Sequence, residues 1–125
     1  PTKAWGMHID DKRMDPILEK AGELGMPVNV HVADPIWMYQ AMDSTNDGLM
    51  NAVEWRRDNI KNELGHDALV ETLENAVRKH PNTTFIAAHL ANNTNDLRKI
   101  GRLFDKYPNL YGDIGGRYAE LSQTP

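Results

Sequence analysis

The apolar residues of this chain recur in two alternating rhythms, one helical and one extended. Met14, Ile17, Leu18, Ala21 and Leu24 fall at i, i+3, i+4, i+7 and i+10, the spacing of one helix face. Asp15-Pro16 offers an N-cap followed by proline at the first helical position, and Gly25 ends the helix. Pro27-Val28-Asn29-Val30-His31-Val32 then alternates as a strand does. A second helix is predicted from about Asp67 to Lys79, with Leu69, Leu73, Ala76 and Val77 on one face. Pro81-Asn82 breaks it before the strand Thr84-Phe85-Ile86-Ala87-Ala88-His89. A third helix carries Leu97, Ile100, Leu103, Phe104 and Tyr107, and Pro108-Asn109 breaks it before Leu110-Tyr111-Gly112-Asp113. Lys79-His80-Pro81-Asn82 and Lys106-Tyr107-Pro108-Asn109 read as two copies of one helix-to-strand turn.

Helices that alternate with short strands, with no hairpin turn between strands, predict βαβ units and a parallel sheet. The expected fold class is α/β, a partial TIM (β/α)8 barrel of about three to four consecutive parallel β/α units. A closed barrel needs roughly 200 residues or more. The 125 residues of this chain are therefore expected to be a fragment of a single barrel domain. One stretch breaks the rhythm. From Ala33 to about Gly65 there is no strand, only an insert with an apolar cluster (Ile36, Trp37, Met38, Tyr39, Met42) and a charged, helix-like run from Asn51 to Leu64. Connections this long are more often functional than neutral. This one leaves the C-terminal end of a strand and is expected to form a lid or wall on the active-site side.

Composition narrows the chemistry mainly by exclusion. Hydrophobic residues at 40% and charged residues at 26% are ordinary for a globular protein. A net charge of -4, with Lys and Arg scattered, gives no electrostatic reason to bind nucleic acid or an anionic membrane. The absence of cysteine removes disulfides, thiolate ligands and a Cys nucleophile. No signal peptide and no bilayer-length apolar run is present, so the cytoplasm is the expected location unless a targeting segment precedes Pro1. Phosphate-binding Gly-rich loops, Gly-x-Gly-x-x-Gly and Gly-x-Ser-x-Gly are all missing, and Gly115-Gly116 alone signals little.

The polar residues at the strand ends carry the functional signal. Side chains alternate along a strand. Val28, Val30 and Val32 therefore oppose Asn29 and His31; Ile86, Ala88 and Leu90 oppose Phe85, Ala87 and His89; and Leu110, Gly112 and Ile114 oppose Tyr111 and Asp113. With the aliphatic faces on the outer helices, His31, His89 and Asp113 all point inward at the C-terminal strand ends, where barrels place catalytic residues. A lone histidine there is usually structural, but two on successive strands favour function. His8, His66 and His80 lack this placement and are expected at the surface or in turns. Trp37, Tyr39 and Trp55 either shape a substrate pocket or pack the insert onto the barrel. Imidazole is a good zinc ligand, but a catalytic metal needs about three protein ligands and an open position.

Asp10-Asp11-Lys12-Arg13-Met14-Asp15-Pro16 and Gly25-Met26-Pro27-Val28-Asn29-Val30-His31-Val32-Ala33-Asp34-Pro35 begin a pattern that Pro81-Asn82-Thr83-Thr84-Phe85-Ile86-Ala87-Ala88-His89-Leu90 and Tyr107-Pro108-Asn109-Leu110-Tyr111-Gly112-Asp113-Ile114 continue. The order and content resemble the amidohydrolase family of metal-dependent TIM-barrel hydrolases, in its aminocarboxymuconate-semialdehyde decarboxylase-like branch. The resemblance covers nearly the whole chain except the insert. It implies that His31 ends the fifth barrel strand and binds the catalytic metal, most often zinc. It implies that His89 ends the sixth and helps activate the attacking water as the catalytic residue. Asp113 matches a seventh-strand position without a fixed duty, and with Asp34 and Trp37 it is a candidate for touching substrate or supporting the histidines. The family's His-x-His pair of the first strand and the metal-binding aspartate of the eighth are absent, so the metal site is expected to be incomplete and the fragment alone inactive. Hydrolysis of an amide, ester or lactone-type carbon in a small molecule is the implied activity of the parent. Metal-dependent decarboxylation on the same scaffold and a non-catalytic α/β binding or assembly module are the alternatives. Open sheet edges further predict a homo-oligomer.

Overall fold

The computed structural model describes residues 7–46, 48 and 64–122. Helix α1 (Asp15–Glu23) leads into strand β1 (Val28–Val30), followed by a 3-10 turn at Ile36–Tyr39. Helix α2 (His66–Lys79) leads into β2 (Phe85–Ala87), α3 (Leu97–Lys106) into β3 (Leu110–Gly112), and the short α4 (Tyr118–Leu121) follows. The strands form one parallel sheet in the order β1-β2-β3. This is the mixed α/β architecture that the alternating rhythms predict.

Parallel pairing places Val28, Phe85 and Leu110 in one row and Val30, Ala87 and Gly112 in the next. Both rows face the helices, where they join Leu18, Leu73, Val77 and Ile100 in a buried core. The second row shrinks from Val to Ala to Gly because the chain beyond it crowds in. A Cβ on Gly112 would lie 2.7 Å from both Leu90 Cδ2 and Phe104 Cζ, so any side chain there would force these two to shift. The opposite face carries Asn29, Ile86 and Tyr111, and Tyr111 is 57% exposed. The expected facing of β2 is thus reversed. Ile86 is on the open face, while Phe85 and Ala87, expected to share the side of His89, pack on the helices. The reason is volume: fully buried Phe85 fills the space between Val28 and Leu110 that the smaller Ile86 would leave part-empty.

Helix α1 differs from its expected stripe as well. Met14 and Leu18 are buried, but Ile17 and Leu24 are each 61% exposed. Met14, rather than Asp15, occupies the N-cap position, with no side-chain cap bond. The Asp15 carboxylate is taken elsewhere. It accepts from Lys79 Nζ at 2.5 Å and from His80 Nε2 at 2.9 Å, and the Lys79 bond is the main cause of its lowered pKa. His80 thus lies in the turn, one of the two places expected for it, but is buried there at 5% exposed rather than on the surface.

The second copy of the turn repeats this grip one unit later. Lys106 Nζ and Tyr107 O–H both donate to Glu74 Oε1 at 2.8 Å, and the Lys106 bond leads in lowering the Glu74 pKa. In each copy the lysine and the ring that follows it hold one carboxylate on an earlier helix. The turns are also sealed by main-chain acceptors. Thr83 Oγ1 donates to the Leu18 carbonyl at 2.8 Å, and a Cβ on Gly22 would come within 2.7 Å of that hydroxyl. Asn109 Nδ2 lies within 3.0 to 3.2 Å of the Val77, His80 and Thr83 carbonyls at the end of α2.

Replacing Asn109 with Ala should leave those carbonyls short of a donor and cost about 1–2 kcal/mol. The exposed Asn82, at the same position of the first turn, should lose less than about 0.5 kcal/mol on the same change. Urea denaturation midpoints of the two variants check the contrast, and equal losses would contradict the assignment of Asn109.

Candidate active site

Three polar side chains reach the C-terminal end of the sheet by two different routes. His31 follows β1 and Asp113 follows β3 by one residue each, so simple alternation puts both on the open face with Asn29 and Tyr111. Continuing the register by one residue sets Ala88, not His89, level with them. Alternation alone would send His89 to the helix side. The backbone prevents this.

His89, Leu90, Ala91 and Asn92 all have positive φ, from 51° to 55°. Non-glycine residues avoid this region at roughly 1–2 kcal/mol each, although His and Asn enter it more readily than most. The left-handed turn ends the strand abruptly and swings the His89 ring to His31. The two ring centroids lie 5.4 Å apart with planes at 78°, an edge-to-face pair. Strained backbone of this kind persists where its surroundings over-determine it, and it gathers at functional sites.

The surroundings are visible bond by bond. The Leu90 N–H donates to the Asp113 carbonyl at 2.9 Å, and the Asn93 N–H to the Leu90 carbonyl at 3.1 Å. Asn92 is buried and serves as a junction. Its Nδ2 donates to the Ala33 carbonyl at 2.5 Å, its Oδ1 accepts from Arg117 Nε at 2.8 Å, and its carbonyl accepts from His66 Nε2 at 3.0 Å. One residue thereby ties the exit of β1, the start of α2 and the segment after β3. His66, expected at the surface, is 5% exposed because it serves this junction. Its ring also meets Tyr39 edge to face at 5.5 Å.

Asp113 holds the other side of the His89 ring. Its Oδ1 accepts from the His89 backbone N–H at 3.1 Å and from the Gly115 N–H at 2.9 Å. The His89 Nδ1–H donates to the Gly115 carbonyl. The bond from the His89 N–H is the leading cause of a lowered Asp113 pKa, with the Gly115 N–H, the His89 charge and the Asn29 side chain adding to it. Asp113 is thus a carboxylate at neutral pH, directly below an imidazole.

The residues singled out from sequence divide accordingly. His31, His89 and Asp113 come together. Asp34 is buried, and its backbone N–H donates to Tyr39 O–H at 3.1 Å. Trp37 packs on Gly48, where a Cβ would overlap the indole, and its carbonyl accepts from Asn46 Nδ2. Both help to pack the connection after β1. Trp55, with most of the expected helix from Asn51 to Leu64, lies outside the described residues. Asn92 and Arg117 escaped notice in the sequence and Gly115 stood out only in an uninformative glycine pair, since all three act through long-range bonds that no periodicity encodes. A cleft of about 570 Å³ lined by Glu19, Gly22, Lys79, His80, Asn82 and Thr83 sits at the opposite, N-terminal end of the strands, away from His31 and His89.

Two imidazoles and a nearby carboxylate are suitable donors for a borderline metal such as zinc. Among the described residues, however, no three such side chains are grouped closely enough to hold an ion. What is present is part of a donor set. Among the described residues no helix is long and apolar enough to cross a membrane.

A family model described as amidohydrolase matches residues 2–125. No curated protein and no solved structure matches the chain.

The left-handed turn makes an inverted prediction about glycine. Ala91→Gly should be neutral or stabilising, because relief of about 1 kcal/mol of backbone strain offsets the lost methyl. The same change at Ala76, inside α2, should cost about 1 kcal/mol or more. Asn92→Ala should cost about 2–3 kcal/mol through unpaired carbonyl and guanidinium groups. Thermal unfolding of the three variants tests the ranking, and a clear loss at Ala91 would refute the strain argument.

Proposed function

The chain belongs to the amidohydrolase family, and on that premise we propose that it carries the fifth to seventh β/α units of a metal-dependent hydrolase barrel. The observation that carries this reading is the edge-to-face pair of His31 and His89 at the C-terminal ends of adjacent parallel strands. That end is where (β/α)8 enzymes collect their catalytic groups. His31 is the proposed metal ligand, and the remaining ligands come from other strands of the parent barrel. Zinc is the proposed ion, and when bound it supplies a Lewis acid that lowers the pKa of its water towards about 7. His89 holds or accepts a proton beside that water, and Asp113 keeps the ring in place. The substrate is a small molecule with an amide, ester or lactone-type carbon.

The edges of the sheet support the partial-barrel reading. Within the described sheet β1 and β3 are both edge strands. Exposed Ile17, Leu24 and Met26 lie beside β1, and exposed Tyr111, Ile114 and Tyr118 lie in and after β3. In the parent, neighbouring units cover these surfaces. In the isolated chain, second copies take their place. Light scattering of the chain at rising concentration should show dimers or larger species, and a monomer throughout would count against open barrel edges.

His31→Ala in the intact barrel enzyme should abolish metal retention and lower hydrolysis by several orders of magnitude. Elemental analysis after dialysis reads the first effect. Unchanged metal content would remove His31 from the ligand set. Carbon dioxide release from a carboxylated aromatic substrate, without hydrolysis of any ester or lactone, would move the enzyme to the decarboxylating side of the family resemblance.

A further inference from the structure

We infer that the loop from Asp113 to Gly115 is a tautomer clamp that holds His89 as the Nδ1–H imidazole and leaves the lone pair on Nε2. The inference gives a positioning duty to Asp113 and to the Gly115 carbonyl, and it rests on the reading of His89 as a proton-handling group.

The geometry begins with the backbone. Asp113 Oδ1 accepts from two main-chain N–H groups, those of His89 and Gly115, which join the turn after β2 to the loop after β3. The carboxylate thus sets the distance between the two segments. The ladder reinforces it, because the Asp113 N–H donates to the Ala87 carbonyl at 3.2 Å and the Leu90 N–H donates to the Asp113 carbonyl at 2.9 Å. With the segments fixed, the Gly115 carbonyl meets His89 Nδ1. A carbonyl can only accept, so this ring nitrogen must carry the proton. In a neutral imidazole the other nitrogen then has none.

Gly115 suits this role because its neighbours are close. A Cβ there would lie 3.1 Å from Asp113 Oδ1 and in ordinary contact with His89 Nδ1 at 3.7 Å, so a side chain would crowd the carboxylate. Gly116 follows with φ of +67°, which turns the chain away directly after the clamp. The Gly115-Gly116 pair, uninformative as a sequence motif, has a use in this loop.

The two buried histidines, His66 and His80, are held differently. His80 approaches the Asp15 carboxylate through Nε2, and His66 faces an acceptor at each ring nitrogen, the Asn92 carbonyl at Nε2 and Asp67 Oδ1 at Nδ1. Free histidine also favours the Nε2–H form. His89 is held in the less favoured form, as a group needs to be if Nε2 is to accept a proton.

Long-range proton–nitrogen NMR correlations of the nitrogen-15 histidine-labelled chain read this directly. The five histidines make the spectrum tractable. Above about pH 8, where an unperturbed imidazole is neutral, His89 should show a pyrrole-type Nδ1 and a pyridine-type Nε2. His80, whose Nε2 faces the Asp15 carboxylate, should show the reverse and serve as the internal control. Asp113→Ala should return His89 to the Nε2–H form or to an averaged pattern, while Asp113→Asn, whose amide oxygen can still accept both N–H groups, should retain the clamp. An Nε2–H or averaged His89 in the wild-type chain overturns the inference, whether or not the Ala variant folds. So does an Ala variant that folds with His89 unchanged. Zinc titration of the same sample separates this from the functional reading. A clamped His89 with no zinc response from any histidine, in the chain or in the intact parent enzyme, would discard the metal site and leave the clamp standing.

Discussion

The left-handed turn from Ala88 to Asn92 is the constraint on which the candidate site depends. Without it, alternation along β2 would bury the His89 ring among the helices, and no histidine pair would form. Four residues in this region cost roughly 1–2 kcal/mol each relative to ordinary backbone. Individual hydrogen bonds contribute about 1 kcal/mol net, so the bonds to Asn92, Leu90 and the His89 N–H are of the size needed to offset the strain. Those bonds end on the loops after β1 and β3 and on the first residue of α2. Each loop that shapes the site therefore also holds the turn, and loosening any one of them displaces His89.

Much of the architecture was legible because it is periodic. The three helices, the three strands, their parallel order and the repeated Lys-ring-Pro-Asn turn all follow from spacing and from Pro and Gly punctuation. The inward placement of His31 and Asp113 followed from alternation as well. His89 arrived where expected for a different reason. The assumed alternation failed at β2, because burial of Phe85 against Val28 and Leu110 outweighed the apolar claim of Ile86, and the backbone turn then restored the ring to the open face. Only His89 and Asn92 tolerate positive φ more readily than most, and nothing in Leu90-Ala91 signals it.

Histidine burial shows the same limit. His66 and His80 resemble surface residues in sequence, flanked by Gly65, Asp67, Lys79 and Pro81. Each is buried by one long-range partner, the Asn92 carbonyl for His66 and the Asp15 carboxylate for His80. Ile17 and Leu24 show the converse. Their spacing promised burial, but α1 flanks an edge strand and has described neighbours on one side only. In the proposed barrel a further β/α unit would cover that edge.

The two carboxylate grips differ in one respect with consequences for how such a domain can vary. Asp15 and Lys79 are 64 residues apart, whereas Glu74 and Lys106 are 32 apart. The longer span includes the whole connection after β1. Loop-closure entropy rises only with the logarithm of length, so doubling the span adds about 0.6 kcal/mol. A connection at the C-terminal end of β1 can lengthen by tens of residues while the grip at the far end of the following helix holds almost as firmly as before. Selection can thus remodel the connection after β1 without first reinforcing the frame that carries it.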